Sequence, residues 1–368
     1  MRKTTILISA ISLTTLGVYL VSVSYAKPLA PPLRIGVMVS DSGPLYFAGP
    51  IQRAAAKLAV ADLEKAEEPV TIVLDFEDLG DSDSEFENAT NSLARFKPNV
   101  TLAPIEPASA IRFQKFIGST PTLATSAAPE KVDNQNSFFR LCPSQSQELI
   151  SLAQYIVDSG AANIAIAFSD DDYGRSTMRT LAMAFALRGI GKIKLAPITE
   201  SKILSQAKPD ALVLASMEQS IQFFDEYSKW TKKPKQLYLV PGNLANYSSF
   251  RWSEELTSAI AITANSEVPS SFRNRLAESL KRPALQDSNN PVVLLGYKTY
   301  QAITLAGDSY RRARSAVSSK IKEAIASYRV GSDLLFTDAG FLKQASYRVY
   351  KYSAKGTFTA VGEYAPKQ

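Results

Sequence analysis

The sequence predicts an α/β protein built from two doubly wound parallel-sheet lobes. Short apolar runs of strand length alternate with segments whose apolar residues recur at helical spacing. The alternation completes one set of strands and helices before residue 142 and then begins again, in kind though not in sequence. At 368 residues, 45% hydrophobic and 21% charged, the chain has the length of about two domains and the composition of a soluble globular protein.

The elements follow in order. "RIGVMV" (34–39) is a strand with Ile35, Val37 and Val39 facing one way, and it stops at Ser40-Asp41-Ser42-Gly43-Pro44. The next segment carries Ile51, Ala54, Ala55, Leu58 and Ala59 at helical spacing, a stripe read as core packing. "VTIVLDFED" (70–78) is a strand ending in acids, "SEFENATNSLARF" (84–96) a helix, and "NVTLAPIEP" (99–107) a strand running into a turn. "AIRFQKFIG" (110–118) is helical and "TPTLATSAAPE" (120–130) is a strand and loop. Such β-α-β-α-β order favours a parallel sheet covered on both faces. Further on, "SQELISLAQYIVDSG" (146–160) is a helix closed by Gly160, "NIAIAF" (163–168) a strand, and "DDDYGRSTMRTLAMAFALRG" (170–189) a turn and helix. "DALVLAS" (210–216), a helix through Trp230 and "QLYLV" (236–240) continue the alternation. The tail "ASYRVYKYSAKGTFTAVGEY" (345–364) alternates at period two around Ser353-Ala354-Lys355-Gly356, the pattern of a closing hairpin.

Composition narrows function. The chain has no histidine and one cysteine, Cys142. That excludes disulfides within the chain, Ser-His-Asp and Cys-His nucleophiles, and zinc sites of His or clustered thiolates. Cys142 is read as a small buried hydrophobe, with a reactive thiol as the alternative. The net charge of +6 is spread over the whole length, and the densest basic run, "TKKPK" (231–235), has no interleaved aromatics, so no nucleic-acid partner is expected. Neither G-x-G-x-x-G after the first strand nor G-x-x-x-x-G-K-[ST] occurs.

The N-terminus reads as a targeting segment. Arg2 and Lys3 precede an apolar run (5–23) and then Ser24-Tyr25-Ala26, small residues two apart of the kind cut by a signal peptidase. Residues 1–26 are therefore expected to be a cleaved signal peptide, with a retained membrane anchor as the alternative, and 27–33 a Pro-rich leader. No cysteine sits there to carry a lipid, so a periplasmic protein is expected.

In open parallel sheets the strand C-termini form the binding crevice. Here those ends carry Ser40-Asp41-Ser42, Asp75 to Asp78, Ile105-Glu106-Pro107, Ala124-Thr125-Ser126, Ser169-Asp170-Asp171-Asp172, Ala215-Ser216-Met217 and Val240-Pro241-Gly242-Asn243. Any one of these residues could merely cap a helix. As a set of loops they suit hydrogen bonds to a small polar ligand. Asp170, Asp171 and Asp172 are the one dense acid cluster at a strand end; a helix cap is the reading taken, and no metal, cofactor or catalytic group is expected.

With these motifs in order, the chain resembles the periplasmic substrate-binding proteins of the leucine/isoleucine/valine-binding type, which serve ABC importers. "IGVMVSDSGPLYFAG" resembles the family's opening strand with its Ser-Gly-Pro-Leu and Gly, "APIEPASA" and "GSTPTLATSAAPE" its third and fourth strand ends, "FFRLCPSQSQELISLAQYIV" its crossing into the second lobe, and "IAFSDDDYGRS" its Asp-x-Tyr-Gly turn. The likeness runs from about residue 33 to 363. It implies a type I fold whose lobes are joined by a three-strand hinge and close over a trapped ligand. The implied lobes are 34–141 plus 266–330 and 142–265 plus 331–368.

The resemblance also implies a site. Ser42, Gly43 and Pro44 would set the next helix at the crevice rim, with Tyr46 and Phe47 as a wall. Thr125, Ser126 and Ala127 would grip a carboxylate, Tyr173 would be the aromatic of the second-lobe turn, and Ser109 falls near the family's serine after strand three. Met217 and Asn243 would line the second lobe. Departures are equally specific. Gly242 stands where amino-acid binders place the acid that receives the ligand ammonium, and Ser216-Met217 replace an aromatic. Glu106, on the opposite lobe, either receives a ligand amine or is solvated. The implied function is capture of a small polar ligand, an amino acid or a related amide or carboxylate, by a monomer that hands it to an inner-membrane ABC permease. The alternative is a sensor or scaffold of the same fold acting on a membrane partner; an enzyme is not expected.

Overall fold

The computed structural model describes residues 5–7, 20–22, 31–43, 45–126, 135–216, 220–240, 256–264, 267–287, 291–343, 347–353 and 358–366. The chain forms two compact units, Met1–Pro31 and Pro32–Gln368. In the first, β1 (Thr5–Leu7) pairs antiparallel with β2 (Leu20–Ser22). The expected cleavage tripeptide, Ser24-Tyr25-Ala26, lies outside the described residues. None of the described helices is long and apolar enough to cross a membrane.

The second unit opens with β3 (Leu33–Val39), α1 (Ala48–Glu64), β4 (Ile72–Asp78), α2 (Asp83–Phe96), β5 (Val100–Leu102), α3 (Pro107–Ile117), β6 (Thr122–Ala124) and β7 (Phe138–Arg140). It continues with α4 (Gln145–Asp158), β8 (Ile164–Phe168), α5 (Asp172–Ala186), β9 (Ile193–Pro197), α6 (Lys202–Gln206), β10 (Ala211–Ala215), α7 (Ser220–Tyr227), β11 (Gln236–Leu239) and β12 (Ile260–Ala264). Then come α8 (Ser270–Leu280), α9 (Pro291–Ala313), α10 (Ser318–Ala326), the short β13 (Arg329–Val330) and β14 (Asp333–Leu334), and finally β15 (Tyr347–Tyr352) and β16 (Phe358–Tyr364).

The first sheet is wholly parallel, in the order β4-β3-β5-β6-β7. Both of its faces are covered, so β3 is buried at Ile35, Val37 and Val39 and also at Met38 between them. On one face Ile35 and Val37 share a core with Ala302, Ile303, Ile321 and Ile325 of α9 and α10. On the other, Met38 packs with Phe86, Leu93 and Phe113 of α2 and α3. Helix ends are fixed by local chemistry. Ser82 accepts from the Glu85 N–H to start α2, and Ser144 and Gln147 form a reciprocal capping box at α4.

The second sheet runs β16-β15-β12-β11-β10-β8-β9. Its five strands from β9 to β12 are parallel, and β15 and β16 add an antiparallel hairpin at one edge, as the period-two tail predicts. Ile166, Val213 and Ile262 face α4 and α5 on one side. Leu212, Leu214 and Leu239 face Phe223, Phe224 and Trp230 on the other. The chain passes from the first sheet to the second after β7, returns after β12, and passes over again before β15.

One lobe boundary differs from the sequence expectation. The second lobe was expected to resume at 331, yet Phe336 is buried in the first sheet's core, its ring 5.3 Å from that of Phe139. The Arg140 N–H donates to the Gly340 carbonyl at 2.9 Å, so this stretch closes the free edge beside β7. Burying Phe336 there, not at the second sheet, is what delays the crossing.

Candidate functional site

Both parallel sheets have the same winding. Counted from the first strand of each, the order is 2-1-3-4-5, which puts the topological switch point between β3 and β5 in one lobe and between β8 and β10 in the other. The polar ends of β3, β5, β8 and β10 flank those points, and the end of β6 lies one strand further on.

At the end of β3, Ser40 is 2% exposed. Its N–H donates to Gln52 Oε1 at 3.3 Å, and its carbonyl accepts from the Gly49 N–H at 2.9 Å. A side chain at position 49 would put Cβ 2.6 Å from the Ser40 oxygen, so glycine lets α1 start flush against the strand end. The N–H groups of Asp41 and Ser42 donate to Asp78 Oδ1 at 2.8 and 3.2 Å, while the Asp41 carboxylate pairs with Arg53. Burial pushes the Asp78 carboxyl up, but the Ser42 hydroxyl and the N–H groups of Asp41, Ser42 and Gly80 outweigh it and hold the group below its ordinary range. Gly43 turns the chain at φ +73°, and its carbonyl accepts from the Tyr46 N–H at 3.1 Å. Tyr46 is 65% exposed, Phe47 is half-buried, and their rings meet edge-on at 6.5 Å at the start of α1.

The second lobe repeats this construction. Ser169 ends β8, and its N–H donates to the Ala215 carbonyl at 3.2 Å. Gly174 lies so close that a Cβ would be 2.1 Å from the Ser169 oxygen. Asp171 caps α5 by accepting from the Gly174 N–H at 2.7 Å. Asp170 and Asp172 pair with Arg175 at 2.6 and 3.3 Å. The acid run is thus a helix cap and a surface ion pair, and among the described residues no group of three His, Cys, Asp or Glu is placed to hold a metal. Tyr173 is half-buried; burial pushes its phenol well above the ordinary range, against a hydrogen bond with Thr177, so it stands as a neutral polar wall.

Two further groups stand at the ends of β5 and β6. Glu106 precedes α3 without capping it, and its carboxylate accepts from the Ser109 hydroxyl at 3.0 Å, so these two expected residues are brought together. Thr125 is 3% exposed and its Oγ1 has no hydrogen-bond partner among the described residues; Ser126 beside it is half-buried. Ser169 Oγ, fully buried, is likewise without a partner. Ser169 was expected only as one of the crevice strand ends and not among the residues that the family resemblance implies; its place after an apolar strand copies that of Ser40. Ala127, Gly242, Met217 and Asn243 lie outside the described residues.

Two doubly wound lobes with the chain crossing between them three times, and polar groups gathered at their switch points, define the type I periplasmic binding fold. The family model described as periplasmic binding protein matches residues 32–229, more than half of the chain, and the protein belongs to that family. A search of curated proteins found no match. Among solved structures, the leucine-binding protein LivK of Thermotoga maritima is 14% identical with a TM-score of 0.70, covering 91% of this chain and 99% of that one. LivJ of Streptococcus pneumoniae, a branched-chain amino acid transporter substrate-binding protein in complex with isoleucine, is 15% identical at a TM-score of 0.70, covering 91% of this chain and 100% of that one. An ABC-transporter solute-binding protein of R. palustris in complex with benzoate is 14% identical at 0.69, covering 91% and 97%.

Proposed function

We propose that this protein is an extracytoplasmic solute-binding protein. It captures a small polar ligand, an amino acid or a related amide or carboxylate, between its lobes and delivers it as a monomer to an inner-membrane ABC permease. The observation that carries the reading is a buried hydroxyl in each lobe at the end of a parallel strand, Thr125 Oγ1 after β6 and Ser169 Oγ after β8, each without a partner among the described residues. A buried hydroxyl without a partner costs free energy that a ligand atom recovers. Ser42, Tyr46, Phe47, Glu106, Ser109, Ser126, Ala127, Tyr173, Met217 and Asn243 complete the proposed lining. In this reading the segment 1–26 directs export and is removed, the ligand is released unchanged, and the three crossings act as the hinge. The ligands named for the solved neighbours, leucine, isoleucine and benzoate, all carry a carboxylate and support the class proposed.

A thermal melt of residues 27–368 tests this against amino acids, small and aromatic acids, amides and urea. A true ligand at a hundred times its dissociation constant adds about 2.7 kcal/mol of stability, a clear rise in melting temperature. A rise with one chemical class supports the reading. Silence across the panel refutes it and favours the sensor or scaffold alternative.

A further inference from the structure

Folding gathers cations at the end of the first lobe opposite the crevice. Asn99, just before β5, is the tie. Its N–H donates to the Arg34 carbonyl at 2.8 Å, its Oδ1 accepts from the Arg34 N–H at 2.8 Å, and its Nδ2 donates to the Ala316 carbonyl at 2.6 Å. The loop after α2 and the loop between α9 and α10, 217 positions apart, therefore meet at the N-terminal ends of β3 and β5. Residues 95–99 and 311–322 carry seven Lys or Arg and no Asp or Glu. The acids beside them are Asp308, Glu323 and the Glu64, Glu67 and Glu68 of the α1 end, which Arg311 reaches through the Glu68 carbonyl at 2.7 Å.

Most of these cations are left over from the fold's own pairing. Arg311 pairs with Asp308 at 2.7 Å. Arg95, Lys97, Arg312, Arg314, Lys320 and Lys322 make no ion pair with any described residue, and all but Lys322 are exposed. Lys97 and Arg314 each follow a helix in the left-handed conformation, at φ +52° and +47°, where glycine is the unstrained choice. A cation that only complements the helix dipole could sit in the last turn without that strain. Arg312 stacks on the Tyr328 ring at 4.3 Å. With Lys320, Glu323 and Ser327 it lines a shallow depression of about 330 Å³ between α9 and α10. Val317, 55% exposed, stands between Arg314 and Lys320.

Charge and chain direction identify the partner. β3 opens at Leu33 at this same end, so the chain leaving the apolar run 5–23 enters the lobe here. With residues 1–26 removed, Lys27 and the new amino group stand six residues before Leu33 and add two positive charges. We infer that this end of the first lobe is an electrostatic docking face for an anionic phospholipid bilayer. Arg312 and Lys320 meet headgroup phosphates, and Val317 sits among them at the interface. The face holds the exported protein at the membrane surface while the crevice, at the lobe's other end, stays open to solute. The aromatic rings here are covered by guanidinium groups, Phe96 by Arg34 at 4.0 Å and Tyr328 by Arg312, so they offer no platform on which nucleic-acid bases could stack. The inference goes beyond the solute-binding reading and does not depend on a ligand.

The test is flotation of residues 27–368, which contain the whole compact unit Pro32–Gln368, with vesicles of phosphatidylcholine alone or mixed equally with phosphatidylglycerol. Binding should need the anionic lipid. It should fade as salt rises from about 0.1 to about 1 M, over which the screening length falls from about 10 to about 3 Å. R314G and K97G should each weaken binding about fivefold, the effect of one charge near the surface. Neither should melt lower than wild type, because glycine relaxes the left-handed position. K208G is the matched control: Lys208 has the same conformation, at φ +46°, but precedes β10 in the second lobe, and its loss should leave vesicle binding unchanged. If anionic vesicles do not bind, if neutral ones bind as well, or if K208G weakens binding as much as R314G, the assignment falls. It also falls if R314G and K97G bind like wild type, or if both melt lower and binding is lost only in step with melting. Displacement of the vesicles by inorganic phosphate or by single-stranded DNA would overturn it too. In each of these cases solute binding, read separately by the ligand melt, stands.

Discussion

Replacing Thr125 with Val should stabilise the empty protein and weaken ligand binding at the same time. Val matches Thr in shape and lacks only the hydroxyl, whose oxygen is buried with no partner among the described residues. In the unfolded chain that hydroxyl is hydrated, so folding loses a hydrogen bond to water and gains none. Such a group costs about 1–3 kcal/mol, and T125V should recover about that amount. With a urea dependence of about 3 kcal/mol/M for a protein of this size, the unfolding midpoint should rise by up to about 1 M at unchanged slope. Binding should move the other way. A hydrogen bond to a charged group is worth about 1.5–3 kcal/mol, so affinity for an acid ligand should fall about ten- to a hundredfold. Urea titration of the unliganded variant and calorimetric titration with the acid found in the melt panel read the two effects separately. A T125V protein that unfolds earlier than wild type and binds as well would refute the reasoning, because the hydroxyl would then be satisfied within the fold.

Gly174→Ala should cost about 1–3 kcal/mol, read as a lower urea midpoint, since its Cβ would meet the Ser169 backbone oxygen at 2.1 Å and backbone cannot swing aside. Asp62 joins three helices: Arg275 holds it with two bonds of 2.8 Å and the Tyr300 hydroxyl donates at 2.7 Å. The Arg275 hydrogen bonds, helped by Tyr300 and opposed by burial, hold the Asp62 carboxyl below its ordinary range. Its contribution to stability is therefore complete above the ordinary carboxylate range and is lost as pH falls through the lowered folded value. With the Asp62 side chain 36% exposed, screening limits that contribution to under about 1 kcal/mol. The stability gap between wild type and D62N should close as pH falls from neutral through and below the ordinary carboxylate range, if urea midpoints are compared; a gap independent of pH would show that the carboxylate's charge is not involved.

Much of the fold can be read from local pattern. The run around Ile35, Val37 and Val39, the capped helix after Ser144 and the period-two tail each reach the observed element, because apolar spacing and end chemistry are local properties. The second-sheet edge strand β9 escapes that reading. Lys194 and Leu195 in it are exposed, as an edge strand allows, so no continuous apolar run announces it. Phe336 carries no local sign of the sheet it joins, and its burial beside Phe139 shifts the lobe boundary.

The candidate site divides in the same way. Sequence alone located the polar strand ends, Ser40 to Ser42, Glu106, Thr125 and the Asp170–Asp172 turn, and with them the α/β class and the absence of histidine and disulfide chemistry. Only the tertiary structure decided what each group is doing. It commits Asp171 to a helix cap, Asp170 and Asp172 to Arg175, and Glu106 to Ser109, and it leaves the Thr125 and Ser169 hydroxyls without a partner among the described residues. The physical reason is range. Helix and strand patterns are set within a few residues, whereas the pairing or isolation of a polar group depends on partners that packing brings from distant parts of the chain.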